Sequence, residues 1–160
     1  MTAATAARPL FECGFEELEV GQRHVTERRT ITQDDLLRFA HLTGDDHPLH
    51  VDPEWAGEQH FGGPTAHGLL VLSCAAGLLP LDPDLFIALR RVTEVTFKRP
   101  VLAGGTIHVV ATVDKLLVDE DWYGVARLRL GVRGERDELL AGCALDIVWR
   151  RREVLCRLEL

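Results

Sequence analysis

The chain has 160 residues, of which 46% are hydrophobic and 27% charged, and its formal net charge is −7. This length favours one globular domain, and the acidic balance argues against a nucleic-acid partner. We expect a flexible N-terminus over residues 1–10 and a single domain over residues 11–160. The start lacks the features of a secretory signal, and the longest apolar run, residues 68–79, is too short to span a membrane. Four widely spaced cysteines without a C-x-x-C pair favour free thiols in a cytoplasmic protein.

The first third of the chain predicts an edge strand followed by two short helices. Residues 23–31 suit the strand, and Thr32 suits the N-cap of a helix that ends near Gly44. The apolar residues of this helix recur on one face, at Leu36, Phe39, Ala40 and Thr43. A second short helix is predicted from Pro53 to Phe61, because proline suits a first helical turn.

The apolar run at residues 68–79 predicts a third helix, and its apolar character on all sides indicates burial on every side. Thr65, preceded by Pro64, is a plausible N-cap. Gly68 then lies in the first turn, where free backbone N–H groups and the helix dipole favour negative charge. Such donors can stabilise an oxyanion. The alternative is that Gly68 simply allows tight packing.

After a Pro/Asp cluster at residues 79–84 the pattern changes from helix to strand. Apolar side chains alternate with polar ones in four stretches, as is typical of half-buried strands. The apolar positions are Thr93, Val95 and Phe97; Ile107, Val109, Ala111 and Val113; Leu128, Leu130 and Val132; and Cys143, Leu145, Ile147 and Trp149. A strand, then helices, then an antiparallel meander predicts an α+β fold with the helices on one face of a sheet.

The loop that follows Gly44 carries a possible acid/base pair. Asp45 and His50 are five residues apart, and a carboxylate with an imidazole can exchange protons near neutral pH. Pro48 stiffens the turn between them and restricts His47 to extended geometry. Because Asp, His and Pro are also common turn formers, the spacing alone leaves open that this loop is only a turn.

Four stretches of the sequence resemble one known family. They are FECGFEELEVGQ (residues 11–22), TGDDHPLHVDPEWA (43–56), FGGPTAHGLL (61–70) and TFKRPVLAGGTI (96–107). Together they look like the MaoC-like, or (R)-specific enoyl-CoA hydratase, branch of the hot-dog fold, and the resemblance covers residues 10–150. It implies a single hot-dog: a curved antiparallel sheet wrapped around a central buried helix.

The resemblance also implies an activity and the residues that carry it. Asp45 and His50 would be the catalytic dyad, and the amide of Gly68 would lie in the oxyanion hole. The implied reaction is the reversible hydration of a trans-2-enoyl thioester to a (R)-3-hydroxyacyl thioester, and the implied assembly is a homodimer. The family usually carries Asn just before the loop proline. Here that residue is His47, so a titratable ring replaces an amide that helps to orient the dyad.

The substrate would be an acyl thioester of coenzyme A or of a carrier protein. The residues that we expect to contact it are His47, Pro48, His67, Lys98 and Arg99. Lys98 and Arg99, together with Arg90 and Arg91, form a basic cluster in an acidic chain, and such a cluster can bind phosphate groups. The alternative is that these residues form a solvated strand face.

Seven histidines raise the question of a metal site. His47 and His50 are close enough in sequence for two ligands, and a third would come from His60 or His67. No metal-binding spacing such as H-E-x-x-H supports this, so we expect no metal, and the implied reaction needs no cofactor. The other histidines lie on predicted surface elements and are expected to be solvated: His24, His41 and His108.

Two other functions stay open at this level. A hot-dog thioesterase would activate water at the thioester carbonyl, although the Asp45–His50 loop argues against it. A non-catalytic acyl-binding subunit is left open by His47. A dehydratase specialised for a carrier-bound or branched intermediate is a variant of the hydratase hypothesis. Ser73 and Cys74 lie in no nucleophile elbow, and we interpret them as packing residues.

Overall fold

The computed structural model describes residues 9–118 and 120–152. Two turns of 3₁₀ helix, Leu10–Glu12 and Phe15–Glu17, precede the first strand. The helices are α1 (Gln33–Thr43), α2 (Pro48–Val51), α3 (Pro53–Gly57) and α4 (Gly68–Gly77). The strands are β1 (Arg23–Val25), β2 (Arg29–Thr30), β3 (Phe86–Phe97), β4 (Thr106–Val118), β5 (Tyr123–Arg133) and β6 (Leu139–Arg150). In the described residues no helix is long and apolar enough to cross a membrane.

The strands form an antiparallel sheet in the order β1-β4-β5-β6-β3, and β2 also pairs with β4. The predicted meander exists for β4, β5 and β6, which are neighbours in sequence and in space. The prediction was wrong for β3, which pairs with β6 at the far edge of the sheet. Residues 98–105 therefore pass the ends of β6 and β5 before β4 begins, and β3 is left as an edge strand.

The inner face of the sheet carries the core. The predicted alternation of β4, β5 and β6 is confirmed, because every apolar position expected there is at most 5% exposed. One side of α4 packs into the same cluster through Leu70, Val71, Cys74 and Ala75. A curved antiparallel sheet around a central helix is the predicted hot-dog architecture.

Two expectations for the central helix were wrong. The N-cap of α4 is His67 rather than Thr65, because residues 64–66 are extended and Thr65 forms an isolated bridge with Leu102. The helix is also not buried on every side. Leu69, Ser73 and Gly77, spaced by four residues, share an exposed face, and Leu69 is 64% exposed. The sheet covers one side of the helix, so an all-apolar sequence does not here mean full burial.

Other boundaries differ from the predicted ones. The expected strand at 23–31 is split into β1 and β2, because Thr26 turns inward and its hydroxyl accepts a hydrogen bond from Val109 N–H at 2.9 Å. The helix expected to reach Phe61 ends at Gly57 as α3. His108, expected to be solvated, is 6% exposed, and its Nε2 lies 3.3 Å from Asp137 Oδ1.

The domain begins before residue 11. Leu10 is 1% exposed and belongs to the core, whereas it was expected to be flexible. The Trp149 indole N–H donates to the Cys13 carbonyl at 2.9 Å, which fixes this segment on the sheet. Residues 1–8 of the expected flexible segment lie outside the described residues, as does Cys156. The remaining three cysteines are buried and form no disulfide among the described residues: Cys13, Cys74 and Cys143.

Strand β3 is irregular, and its irregularity shapes the site. Its pairing with β6 shifts register at three points, the last between Thr93 and Thr96. Glu94 has a φ of 54°, the left-handed conformation of a β-bulge residue. Thr93 lies opposite Ala144 on the outer face, whereas Phe97 lies opposite Ala141 on the inner face. The predicted alternation, which put Thr93 and Phe97 on one face, was wrong because the bulge adds a residue.

Candidate active site

The first candidate residue follows directly from the end of α1. Thr32 caps this helix as predicted, exchanging hydrogen bonds with Asp35. The Thr32 backbone N–H is the main reason that the pKa of Asp35 lies below its ordinary value. At the other end Gly44, with a φ of 79°, donates to Ala40 carbonyl at 2.8 Å and turns the chain out of the helix. Asp45 therefore directly follows a helix whose end is well defined.

The short helix α2 carries His50, and three hydrogen bonds to residues outside the helix hold it in place. Pro48 is its first residue, and the His47 ring caps it by accepting a hydrogen bond from Leu49 N–H at 3.1 Å. The Gln33 side chain of α1 donates to the His50 carbonyl at 3.2 Å. Thr65 N–H donates to the Leu49 carbonyl at 3.0 Å, which joins α2 to the segment before α4. A four-residue helix depends on such contacts, because its own hydrogen bonds are few.

The hydrogen bond of the His50 ring fixes which nitrogen is free. Its Nδ1 lies 2.5 Å from the Thr65 carbonyl oxygen. A carbonyl only accepts, so Nδ1 carries the proton of the neutral ring. The Nε2 lone pair of His50 is then available to accept a proton or a hydrogen bond from water.

His67 lies behind these two residues. It is 3% exposed, and its Nε2 lies 2.9 Å from the Asp45 carbonyl oxygen. Its ring stacks on the His50 ring, with centroids 3.7 Å apart and planes inclined by 23°. Phe39 of α1 packs against its side, at a centroid distance of 5.0 Å.

Asp45, His50 and His67 converge at one point. One carboxylate oxygen and one nitrogen from each ring all lie within 4.8 Å of one another. Two groups that each hydrogen-bond one water at about 2.8 Å can be this far apart. The Asp45 side chain is 58% exposed, so water can reach it. The arrangement can therefore hold and deprotonate a water molecule.

The same three side chains are a candidate set for a metal ion, but the ring geometry argues against it. A metal lies in the plane of an imidazole ligand, about 2.0–2.1 Å from its nitrogen. The His50 and His67 planes are stacked and nearly parallel, so one ion cannot lie in both. The His67 Nε2 is also occupied by the Asp45 carbonyl.

An apolar cavity opens beside His50. It has a volume of about 460 Å³, and His50 and Gly68 both line it. Gly68 is the first residue of α4, and its N–H has no hydrogen-bond partner among the described residues. A Cβ on Gly68 would lie 2.7 Å from the Phe97 ring. The absence of a side chain therefore leaves room for Phe97 and for a ligand at the helix N-terminus.

The structure separates the other predicted site residues into two groups. Lys98 and Arg99 line the cavity together with His50. His47 and Pro48 do not line it, since they form the start of α2. The basic cluster is also divided. Arg91 lies in the middle of β3 on the outer face, where its Nε is 3.9 Å from Asp146 Oδ2.

Sequence reasoning missed two parts of the site. Thr65 contributes its carbonyl oxygen to His50, a role that any residue type can perform and that no side-chain pattern signals. Phe97 covers Gly68, and its position depends on the bulge in β3. Phe97 directly precedes Lys98 and Arg99 in the sequence, and this position was a possible signal that it lies at the site. Regular alternation instead predicted that its side chain shares a face with Thr93.

Comparison with known proteins agrees with the resemblance. A sequence model described as MaoC like domain matches residues 16–125. Protein MaoC of Klebsiella aerogenes is 38% identical over 106 residues, which are 65% of this chain and 31% of that protein. The chain therefore spans under a third of the length of that relative. An (R)-specific enoyl-CoA hydratase of Aeromonas caviae is 33% identical over 110 residues, covering 66% of this chain and 77% of that enzyme.

A solved structure has the same architecture over nearly the whole domain. The protein, from Archaeoglobus and described as a monoamine oxidase regulatory protein, superposes with a TM-score of 0.80 at 34% identity. The superposition covers 87% of this chain and 95% of that one.

Proposed function

Because this chain belongs to the MaoC-like domain family, we propose that it is a hydro-lyase that reversibly hydrates trans-2-enoyl thioesters to (R)-3-hydroxyacyl thioesters. The observation that carries the proposal is the convergence of Asp45 and His50, within 4.8 Å, beside an apolar cavity that His50 lines. The relative named (R)-specific enoyl-CoA hydratase supports the same chemistry.

Asp45 and His50 hold one water between them in the proposed mechanism. The water oxygen attacks C3 of the enoyl group, and one member of the dyad takes a proton from the water. The electron pair of the C2–C3 double bond moves to form an enolate, and the dyad then returns a proton to C2. The bond from Nδ1 to the Thr65 carbonyl keeps His50 oriented in both protonation states. Hydrogen and hydroxyl are thus added across the double bond, without change of oxidation state at the thioester.

Gly68 N–H supplies the stabilisation of the enolate oxygen. It is the first amide of a ten-residue helix, so it points a free donor and the positive end of the dipole at the cavity. Donors aimed at a developing oxyanion contribute most where water is excluded, and the apolar lining favours this.

Lys98 and Arg99 lie at the same cavity and provide positive charge for the polar part of the substrate. Their proposed partner is a phosphate of coenzyme A or of a phosphopantetheine arm. This places the acyl chain along the apolar wall and the head group near the end of β3.

We also propose that the protein is a homodimer through β3. Leu89, Val92 and Phe97 lie opposite inner-face residues of β6, yet they are 47%, 45% and 52% exposed. An edge strand of twelve residues with exposed apolar side chains is a surface that natural proteins pair or cover. A second copy at β3 would also close the side of the cavity that Phe97 borders. Sedimentation of the purified protein gives its mass, and a monomer at micromolar concentration contradicts this part.

The experiment follows loss of the enoyl-thioester absorbance with enoyl-CoA substrates of increasing chain length, starting from crotonyl-CoA. We expect turnover by the parent and at least about a hundred-fold lower kcat in Asp45→Asn and His50→Gln. Matched controls are Asp46→Asn and His41→Gln, which change exposed neighbours of the same residue types. Chiral analysis of the product tests for the (R) alcohol. Parental turnover in both dyad variants would contradict the assignment, as would a parent inactive on every substrate.

A further inference from the structure

His67 contacts every part of the candidate site without lining the cavity. Its Nε2 bonds the Asp45 carbonyl, its ring stacks on His50, and it is itself the N-cap residue next to Gly68. Its Nδ1 is buried and has no hydrogen-bond partner among the described residues. A buried unpaired nitrogen costs about 1–3 kcal/mol, so packing alone does not account for a histidine here.

We propose that His67 is a positioning residue, which holds Asp45 through its backbone and His50 through its ring so that both face one water. The inference rests on the proposed function. His67 was expected to contact the substrate, but at 3% exposure it acts through the other two residues.

Asp45 needs such an anchor because its carboxylate accepts no hydrogen bond from the described part of the chain. His67 Nε2 lies 4.0 Å from Oδ2, beyond hydrogen-bond distance, and the Asp45 side chain is 58% exposed. The direction of the carboxylate is thus set by the backbone of residue 45. That backbone is held by two bonds, one from its N–H to the Thr43 hydroxyl at 3.3 Å and one to its carbonyl from His67 at 2.9 Å.

The tautomer of His67 follows from the same contact. A carbonyl cannot donate, so Nε2 carries the proton of the neutral ring, whose lone pair is then on Nδ1. A neutral ring can stack closely on His50 while that ring gains a proton, whereas two stacked cations would repel. His67 is therefore assigned to hold the geometry and His50 to transfer the proton.

Two substitutions separate the two contacts. His67→Phe keeps a flat ring against His50 and loses the donor to Asp45. His67→Gln keeps an N–H donor at a similar reach and loses the ring. His41→Gln is the control, because His41 is exposed on α1. We expect each His67 variant to lose at least about ten-fold in kcat with KM within about three-fold, because misplaced catalytic groups affect the reaction more than binding.

Thermal unfolding distinguishes positioning from packing. His67→Phe removes the unpaired buried nitrogen, so its Tm should equal or exceed that of the parent while its kcat falls. Parental kcat in His67→Phe would overturn the proposal, because the ring alone would then suffice.

A measurement without substrate tests the anchor itself. Amide hydrogen exchange at residues 45–47 should be at least about ten-fold faster in His67→Phe than in the parent or in His67→Gln, because one of two backbone anchors is lost. Unchanged exchange would overturn the anchor. If the parent hydrates no enoyl thioester, the proposed function fails, and the exchange rates still decide whether His67 holds Asp45.

Discussion

Strands β4–β6 and residues 44–68 are held in place by different kinds of contact. In the strands, antiparallel backbone pairing repeats along two continuous ladders, β4–β5 and β5–β6, each with a single shift in register. Residues 44–68 contain two helices of four and five residues, and single hydrogen bonds such as that from His50 to Thr65 fix them. In strands β4–β6, the repeating region, the effect of a substitution is distributed over many neighbouring contacts and lowers stability. A change in the other region misplaces one group, so we expect it to lower activity first.

Gly68→Ala is expected to give the largest effect. The new Cβ would lie 2.7 Å from the Phe97 ring, so either the ring or the start of α4 must move. A shift of about 1 Å near reacting groups can cost about a hundred-fold in rate, and we expect a loss of that order in kcat/KM. The measurement is hydration of crotonyl-CoA alongside a thermal melt, in which Tm should change little because Phe97 is half exposed.

The double variant Gly68→Ala with Phe97→Ala sharpens this test. Removing the ring leaves space for the new methyl group, so the start of α4 can return to its place. If activity stays low, the methyl group itself obstructs the approach to the N–H of Gly68. If activity returns, the clash with Phe97 was the whole effect, and the N–H of residue 68 functions with a methyl group beside it.

The repeating region was largely predictable from the sequence. The predicted inward positions of Ile107–Val113 and Leu128–Val132 recur at every second residue, and a paired strand with one buried face preserves that period. The end of α1 at Gly44 was also predictable, since a left-handed C-cap favours glycine. The Asp45 and His50 pair came from a local motif, in which six residues contain both groups and their turn.

The remaining features depend on contacts between distant segments. The bulge at Glu94 is visible only in the pairing of β3 with β6. Arg129 of β5 also reaches this residue, and its Nη1 binds Glu94 Oε2 at 2.8 Å. The exposed side of α4 depends on which side the sheet covers, and a uniformly apolar helix gives no sign of this. The partner of the His50 ring is a backbone carbonyl fifteen residues away, and a carbonyl leaves no trace in residue type.

Asp146→Asn tests the repeating region, and we expect a smaller effect confined to stability. Asp146 on the outer face of β6 accepts two hydrogen bonds from Arg127, at 2.7 and 3.1 Å. The hydrogen bond from Arg127 is the main reason that the pKa of Asp146 lies below its ordinary value. At pH 7 the variant should melt about 3–6 °C below the parent, with unchanged kcat.

The dependence on pH follows from the direction of that shift. A carboxylate whose pKa is lowered in the folded state stabilises the fold above its unfolded pKa, about 3.9 for Asp, and this contribution is lost as pH falls through the folded value. The difference in Tm between parent and variant should therefore shrink below about pH 4. Melts from pH 7 to pH 2.5, with Asp46→Asn as control, measure it. A constant difference over this range would contradict the role of the ion pair.

His47→Asn is expected to have the smallest effect and tests what the unusual histidine does. The ring of His47 caps α2 by accepting the Leu49 N–H, and an asparagine side chain can accept the same bond. We expect kcat/KM within about two-fold of the parent at neutral pH, whereas His47→Ala loses the cap, at a cost of about 1 kcal/mol, and loosens the helix that carries His50. A kcat/KM of His47→Asn as low as that of His47→Ala would contradict a capping role for His47.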